Sequence, residues 1–177
     1  DCGSKKAFLL YPGFSPCIHH IILDDKECDV LKYSCDISIV CTNLYEDLPN
    51  QYINRKFLID EIYKNQKKHD YVFHIYGPEK FSDIYPDSYK GFIKYEDTNK
   101  IFNYSKINLC THVQCNTSKY LNERTFMILG SGGLLFIDKI KDNDILINKE
   151  NCIIINKNNF VKQIVDILND YDKFFYV

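Results

Sequence analysis

The residues best suited to chemistry lie in the run 121–138, LNERTFMILGSGGLLFID. Asn122 is a good helix N-cap and Thr125 follows three residues later, so the run predicts the start of an amphipathic helix. The glycine-rich stretch 130–133 then ends that helix, and the apolar residues after it predict a buried strand. A helix N-terminus offers free backbone N–H groups and a positive dipole end, to which Arg124 adds a guanidinium. This combination predicts a phosphate-binding site.

Arg124 is also unusual in the composition of the chain. It is one of only two arginines, the other being Arg55, although Lys and Arg together number 22. This preference for lysine, with many Ile, Asn and Tyr residues, suggests an AT-rich genome. An arginine retained in such a chain indicates a need for the planar guanidinium, which grips a diphosphate or carboxylate with two hydrogen bonds. The alternative is a surface arginine that pairs with Glu123 or Asp138.

Segments with strand and helix patterns alternate along the chain. Strands are predicted at 36–41, 71–76, 89–93, 107–113, 134–137 and 152–155, and helices at 54–65, 96–104 and 160–168, besides the one after Asn122. Residues 1–35 are predicted to form an irregular N-terminal segment packed on the domain, which spans 36–177. The alternation predicts an α/β fold with a parallel sheet and helices on both faces.

Several polar side chains follow the predicted strands. Ligands of parallel α/β folds bind beyond the carboxyl ends of the strands. Thr42 and Asn43 follow the first strand, and Tyr76 and Gly77 end the second. His112 lies near the end of a later strand and is a candidate for a contact in the cleft.

Composition excludes several classes of protein. The chain has 177 residues, a formal net charge of −2 and no clustered positive charge, which argues against nucleic-acid binding. No apolar run reaches the roughly 20 residues of a membrane span. The irregular spacing of the eight cysteines predicts reduced thiols and a cytoplasmic location, in the host cytoplasm if the protein is viral. The only methionine is Met127, so the chain is expected to be a domain excised from a longer protein.

A possible metal cluster consists of Cys110, His112 and Cys115. Structural zinc needs four ligands, usually in paired short spacings, and the sequence has no second pair. No bound metal is therefore expected.

The motif Asn122-x-Arg124-x-Phe126, followed by five residues, Gly132-Gly133 and a strand, resembles the C-terminal domain of GT-B glycosyltransferases. The most similar group is the spore-maturation-like group of family-1-type transferases. Further similar stretches follow in the family's order: LYPGFSPCIH at 10–19, DISIVCTN at 36–43, HIYG at 74–77, YKG at 89–91, YE at 95–96 and SKINL at 105–109. The resemblance covers most of the chain and implies a Rossmann-like domain.

The resemblance also implies a function. This domain of GT-B enzymes holds a nucleotide-diphosphate sugar, while a further N-terminal domain, missing here, holds the glycan, protein or small-molecule acceptor. Arg124 would contact the diphosphate, and the helix dipole and arginine would replace a metal or cofactor in stabilising it. The other matching positions would be Asn122 and Thr125 near the diphosphate, Tyr76 and Gly77 near the base or ribose, and Thr42 and Asn43 along the cleft. No catalytic residue can be assigned.

Met127 departs from the family pattern, which usually has a glutamate directly after the phenylalanine that hydrogen-bonds the ribose hydroxyls. A thioether cannot accept those bonds usefully. The alternative function is therefore a non-catalytic GT-B-like domain that has lost donor binding and serves as a structural or interaction module. Glu123, one helical turn earlier, could substitute for the missing acid, although a solvated acid at a helix start is the plainer interpretation.

Overall fold

The fold is built on one parallel sheet. A computed structural model describes residues 9–174 of the chain. The strands are β1 (Cys35–Val40), β2 (Phe73–Tyr76), β3 (Tyr89–Gly91), β4 (Ser105–Cys110), β5 (Leu135–Ile137) and β6 (Ile153–Ile154). They pair in the order β3-β2-β1-β4-β5-β6, and every pairing is parallel.

Helices cover both faces of the sheet. They are α1 (Glu27–Tyr33), α2 (Arg55–His69), α3 (Phe81–Ile84), α4 (Thr98–Tyr104), α5 (Glu123–Gly130) and α6 (Phe160–Asn169). One apolar core joins α2, α3 and α6 to the sheet, and a second core joins α1, α4 and α5 to its other face. The predicted α/β fold, with a Rossmann-like parallel sheet covered on both faces, is therefore confirmed.

The central strands are buried on both faces. Ile37 of β1 lies opposite Phe73 of β2 and Ile107 of β4, and all three are buried in the first core. On the other face Ser38 donates to Oδ1 of Asn108 at 2.9 Å, so these buried polar side chains satisfy each other. This double burial explains why the strands have apolar runs rather than a simple alternation.

Most predicted elements form close to their expected positions, but the short helix α3 and a helix near the N-terminus were not predicted. Residues 1–35 were expected to be irregular, but Glu27–Tyr33 form α1. Tyr33 is the only residue of this helix that is buried, and Leu31 is 79% exposed. The helix therefore has almost no apolar periodicity, which is the signal that sequence reasoning uses. Residues 1–8 of the expected N-terminal segment, and residues 175–177, lie outside the described part of the chain.

The strand order creates the position for a ligand. The chain leaves β1 toward β2 and β3, and then crosses back to place β4 on the other side of β1. The carboxyl ends of β1 and β4 therefore lie on either side of the point where the strand order changes direction. Open α/β sheets form a ligand-binding crevice at such a point. Among residues 9–174, no helix has the length and apolarity needed to cross a membrane.

Candidate functional site

A cleft of about 480 Å³ opens at this reversal point. Its walls come from the carboxyl ends of β1, β2 and β4, from the loop after β3, and from the first turns of α2 and α5. The residues that line it are Val40, Cys41, Thr42, Tyr45, Arg55, Tyr76, Gly77, Phe92, Ile93, Tyr95, Thr98, Phe102, Thr111, Val113, Tyr120, Asn122, Glu123, Arg124 and Met127. Five of the eight predicted site residues are among them: Thr42, Tyr76, Gly77, Asn122 and Arg124.

The N-terminus of α5 is closed by a side-chain cap. Oδ1 of Asn122 accepts the backbone N–H of Thr125 at 3.2 Å, and Nδ2 donates to the carbonyl of Thr111 at 3.2 Å. The predicted cap is therefore confirmed. Thr125 itself is fully buried and does not line the cleft. Its expected position near a diphosphate stays a prediction. Its hydroxyl lies 3.5 Å from Sγ of Cys110, at the base of the helix.

His112 supports α5 from behind the cleft. It is only 1% exposed and does not line the cleft. Its expected contact with a ligand stays a prediction. Nε2 accepts the backbone N–H of Asn122 at 3.1 Å, which places the ring proton on Nδ1, where it is donated to Asp138 at 3.0 Å. Asp138 also accepts the backbone N–H of His112 and lies 3.3 Å from Sγ of Cys115. This buried chain of hydrogen bonds fixes the start of α5.

Arg124 lines the cleft in the first turn of α5 and is half-buried. Within residues 9–174 its guanidinium makes no hydrogen bond and no ion pair. The two carboxylates proposed as alternative partners are engaged elsewhere, because Asp138 binds His112 and Glu123 accepts from the hydroxyl of Tyr95. The guanidinium is thus available to a ligand.

Arg55 is a cleft residue that the sequence reasoning missed. It begins α2 and is only 3% exposed. Its Nε–H donates to the hydroxyl of Thr111 at 2.6 Å, and its terminal nitrogens donate to the carbonyls of Asn43 and Thr111 at 2.8 Å each. The guanidinium also lies 4.6 Å from the ring centre of Tyr45. These contacts tie the loop after β1 to the end of β4, and the only sequence signal was the rarity of arginine.

The charge of Arg55 has no carboxylate partner within residues 9–174. Burial lowers the pKa of Arg55, and the nearby charge of Arg124 acts in the same direction. Both arginines of the chain therefore lie at one cleft, electrostatically coupled and without acidic partners among the described residues. Such an arrangement favours the binding of an anion.

Thr42 and Asn43 follow β1 as predicted, but only Thr42 lines the cleft. The side chain of Asn43 accepts the backbone N–H of Tyr45 at 3.1 Å and so stabilises the turn. Its carbonyl is one of the acceptors for Arg55. Asn43 thus stabilises the loop beside the cleft without lining the cleft itself. Its expected contact with a ligand stays a prediction.

Tyr76 and Gly77 lie where β2 ends. Tyr76 is 3% exposed and burial raises the pKa of its phenol, so the group stays protonated. Gly77 lies so close to β1 that a Cβ there would be 2.3 Å from the carbonyl oxygen of Cys41. Only glycine allows this close approach of the two strand ends at the edge of the cleft.

The chain is similar to a family of known proteins. Residues 55–173 match the family described as Glycosyl transferase-like, which is well over half of the chain. The chain belongs to this glycosyl transferase-like family. The predicted resemblance to GT-B glycosyltransferases is thereby confirmed at the level of family and fold.

Solved structures are similar to this glycosyl transferase-like chain. The crystal structure of TarM aligns with a TM-score of 0.59 and 18% identity, covering 90% of this chain and 32% of TarM. The pneumococcal O-GlcNAc transferase GtfA, crystallised with UDP and GlcNAc, gives a TM-score of 0.49 and 13% identity, covering 89% of this chain and 33% of GtfA. The chain thus spans about a third of each. No curated protein matches the chain.

Met127 occupies the position at which the resemblance leads one to expect a glutamate. Its side chain lines the cleft, yet it is only 7% exposed and belongs to the core on the α5 face. Glu123, one turn earlier, is exposed and also lines the cleft. It is the only carboxylate among the described residues that does so.

Proposed function

We propose that this glycosyl transferase-like chain is the donor domain of a glycosyltransferase and binds a nucleotide-diphosphate sugar in the cleft at the β1–β4 reversal. The observation that carries the proposal is the pairing of Arg55 and Arg124 at one cleft without acidic partners among residues 9–174. A diphosphate supplies the negative charge that this arrangement lacks. The free guanidinium of Arg124 suits two-pronged contact with phosphate oxygens.

The two arginines would have different roles. Arg55 is held by its hydrogen bonds to the loop after β1 and to the end of β4, so it contributes a fixed positive charge to the floor of the cleft. Arg124 is free to contact the ligand and to stabilise the negative charge that develops on a leaving diphosphate. With the dipole of α5, these charges would make a divalent metal unnecessary for donor binding.

Transfer of the sugar needs an acceptor and a group that activates it. The resemblance assigns both to an N-terminal domain, so the acceptor, whether glycan, protein or small molecule, would be bound outside this chain. We accordingly expect the chain alone to bind the donor and to transfer no sugar. Robust transfer by residues 1–177 would contradict this division of labour.

Met127 supports an alternative function. If its burial in the core reflects loss of the ribose contact, the domain is a structural or interaction module without a donor. This alternative predicts a cleft that binds no nucleotide at any accessible concentration.

Isothermal titration with UDP, GDP and ADP distinguishes the two functions. At least one nucleoside diphosphate should bind the wild-type chain, and Arg124→Ala should weaken that binding. Lys162→Ala is the matched control, because it removes an exposed positive charge from α6, on the opposite face of the sheet. Equal affinities of the wild type and Arg124→Ala for every nucleotide would remove the donor site from this cleft.

A further inference from the structure

Residues 15–22 form a strap that lies against α4 and is held there by few contacts. Its backbone exchanges hydrogen bonds of 2.9–3.1 Å with the side-chain amides of Asn99 and Asn103. His19 is the only buried residue in the range 9–32, and no part of its surface is exposed. The imidazole of His19 is therefore the single buried anchor of the strap.

The hydrogen bonds around His19 determine which ring nitrogen carries the proton. Thr98 donates its hydroxyl proton to the carbonyl of Tyr95 at 2.6 Å. The hydroxyl can then only accept from His19, so the proton of the neutral ring is on Nε2, 3.1 Å away. Nδ1 carries the lone pair and is buried without a hydrogen-bond partner among residues 9–174. A second proton on the ring would therefore have no acceptor.

Protonation of His19 is unfavourable while the ring is anchored. It would create a buried positive charge and a buried N–H without a partner. Burial accordingly lowers the pKa of His19, and His20 acts in the same direction, whereas the carboxylate of Glu123 opposes both. The other charged side chains of the elements packed against the ring are those of Glu96, Asp97 and Lys100. None of these side chains hydrogen-bonds the ring.

The anchored ring also supports the wall of the cleft. It meets the ring of Tyr95 edge-on, with 5.2 Å between the ring centres, and its centre lies 6.4 Å from that of Phe102. Tyr95, Thr98 and Phe102 all line the cleft, whereas His19 does not. Departure of the imidazole would thus remove the support behind this wall and leave every cleft-lining side chain in the protein.

We propose that the strap is a pH-sensitive latch: protonation of His19 releases residues 15–22 from α4 and loosens the cleft wall at Tyr95. This inference does not depend on donor binding. In the released strap the imidazole meets water and titrates near its ordinary pKa of about 6.5, so the released state takes up the proton first. Release therefore becomes more favourable as the pH falls below that value, until the anchored ring is itself protonated.

Hydrogen exchange followed by NMR at about pH 7.5 and about pH 5.5, corrected for the intrinsic rate at each pH, tests the latch. The amides of His20 and Ile22 report on the strap, because both donate to side chains of α4. Their protection should fall by up to about tenfold over this interval. The amide of Asp97, which donates to the carbonyl of Lys94 in the turn that begins at Tyr95, should lose protection in parallel.

Two glutamine variants separate His19 from its neighbour. His19→Gln retains a donor for Thr98 but cannot ionise, so protection of its strap amides should not depend on pH. His20→Gln, which changes an exposed imidazole, should keep the dependence of the wild type. The same dependence in His19→Gln as in the wild type, or constant protection in the wild type, would overturn the latch.

An NMR titration of the wild-type imidazoles is a second measurement that needs no variant, and it serves if His19→Gln does not fold. His19 should titrate below the ordinary value of about 6.5, with signals of Tyr95 changing over the same pH range. Titration of His19 at or above that value would overturn the latch, because the anchored state would then bind the proton at least as well as the released one.

Discussion

Nε2 of His112 accepts the backbone N–H of Asn122 at 3.1 Å, so a fully buried imidazole determines where α5 begins. Asp138 orients that imidazole from its other side at 3.0 Å. The cleft-lining side chains of the first turn of α5, Glu123 and Arg124, depend on this support. A residue that does not line the cleft therefore controls the geometry of those that do.

His112→Ala should lower both stability and nucleotide affinity. It leaves the N–H of Asn122 and a buried oxygen of Asp138 without their partners, at a cost of about 1–3 kcal/mol in unfolding free energy. Urea unfolding measures that cost, and calorimetry measures the affinity. His20→Ala, which changes an exposed imidazole, should alter neither. A His112→Ala protein with wild-type stability would show that the buried chain of hydrogen bonds does not hold α5.

Arg124→Lys should weaken binding of a nucleoside diphosphate although the charge is unchanged. A lysine ammonium cannot reproduce the planar two-pronged contact, and complete removal in Arg124→Ala should cost about 1–3 kcal/mol of binding free energy. Stability should change little, because the guanidinium makes no hydrogen bond or ion pair with residues 9–174. Thermal unfolding beside calorimetry separates the two effects, and a large fall in Tm would assign Arg124 a structural role instead.

Arg55→Lys should behave differently, because this side chain serves the fold as well as the ligand. Three hydrogen bonds to Asn43 and Thr111 are lost or distorted, so unfolding free energy should fall by about 2 kcal/mol along with affinity. Thermal unfolding measures the loss of stability, and calorimetry with the nucleoside diphosphate measures the loss of affinity. Undiminished stability would mean that the shorter ammonium recovers those bonds and that the guanidinium is dispensable.

Gly77→Ala should destabilise the protein by about 1–3 kcal/mol, because its Cβ would lie 2.3 Å from the backbone oxygen of Cys41. The strand ends must separate to accept the methyl group, which also widens the cleft. Gly13→Ala is the matched control, since a Cβ there meets no atom within 4 Å. Chemical denaturation measures the unfolding free energy of both variants. Equal stabilities would contradict the close approach of β1 and β2.

Acidification should destabilise the protein through His74. Burial, with a smaller contribution from Lys90, lowers the pKa of His74 to about 4, below the value of an unfolded chain. The unfolded state therefore takes up the proton first, and stability falls as pH drops from about 6.5 toward about 4. Between about pH 7.5 and about pH 5.5 this contributes up to about 1 kcal/mol. Urea unfolding of the wild type and His74→Gln at both pH values should show a smaller decrease for the variant, and equal decreases would exclude His74 as the cause.

Local signals in the sequence were sufficient for most of the fold. The strand predicted at 36–41 forms at Cys35–Val40, and the cap predicted at Asn122 accepts a backbone N–H as expected. Caps and apolar periodicity depend on neighbouring residues and so can be read along the chain. The short helix α3 (Phe81–Ile84) was not predicted, because four residues are too few to show an apolar periodicity.

The site was harder to predict than the fold. Arg124 was predicted from a local pattern, the start of a helix, and its side chain lines the cleft. The role of Arg55 depends on Thr111, 56 residues away, and the burial of His112 depends on Asp138, 26 residues away. Such distant pairings are decided by the packing of β4 beside β1 and β5 and are not visible in sequence spacing.

The cleft between the ends of β1 and β4 should bind a diphosphate without a metal. The most direct measurement is a calorimetric titration, in EDTA, of the nucleoside diphosphate that binds best and of its monophosphate. The two arginines predict that loss of the β-phosphate weakens binding by about tenfold or more, with EDTA having no effect. Equal affinity for the monophosphate and diphosphate, or loss of binding in EDTA, would contradict metal-free binding of a diphosphate by the two arginines.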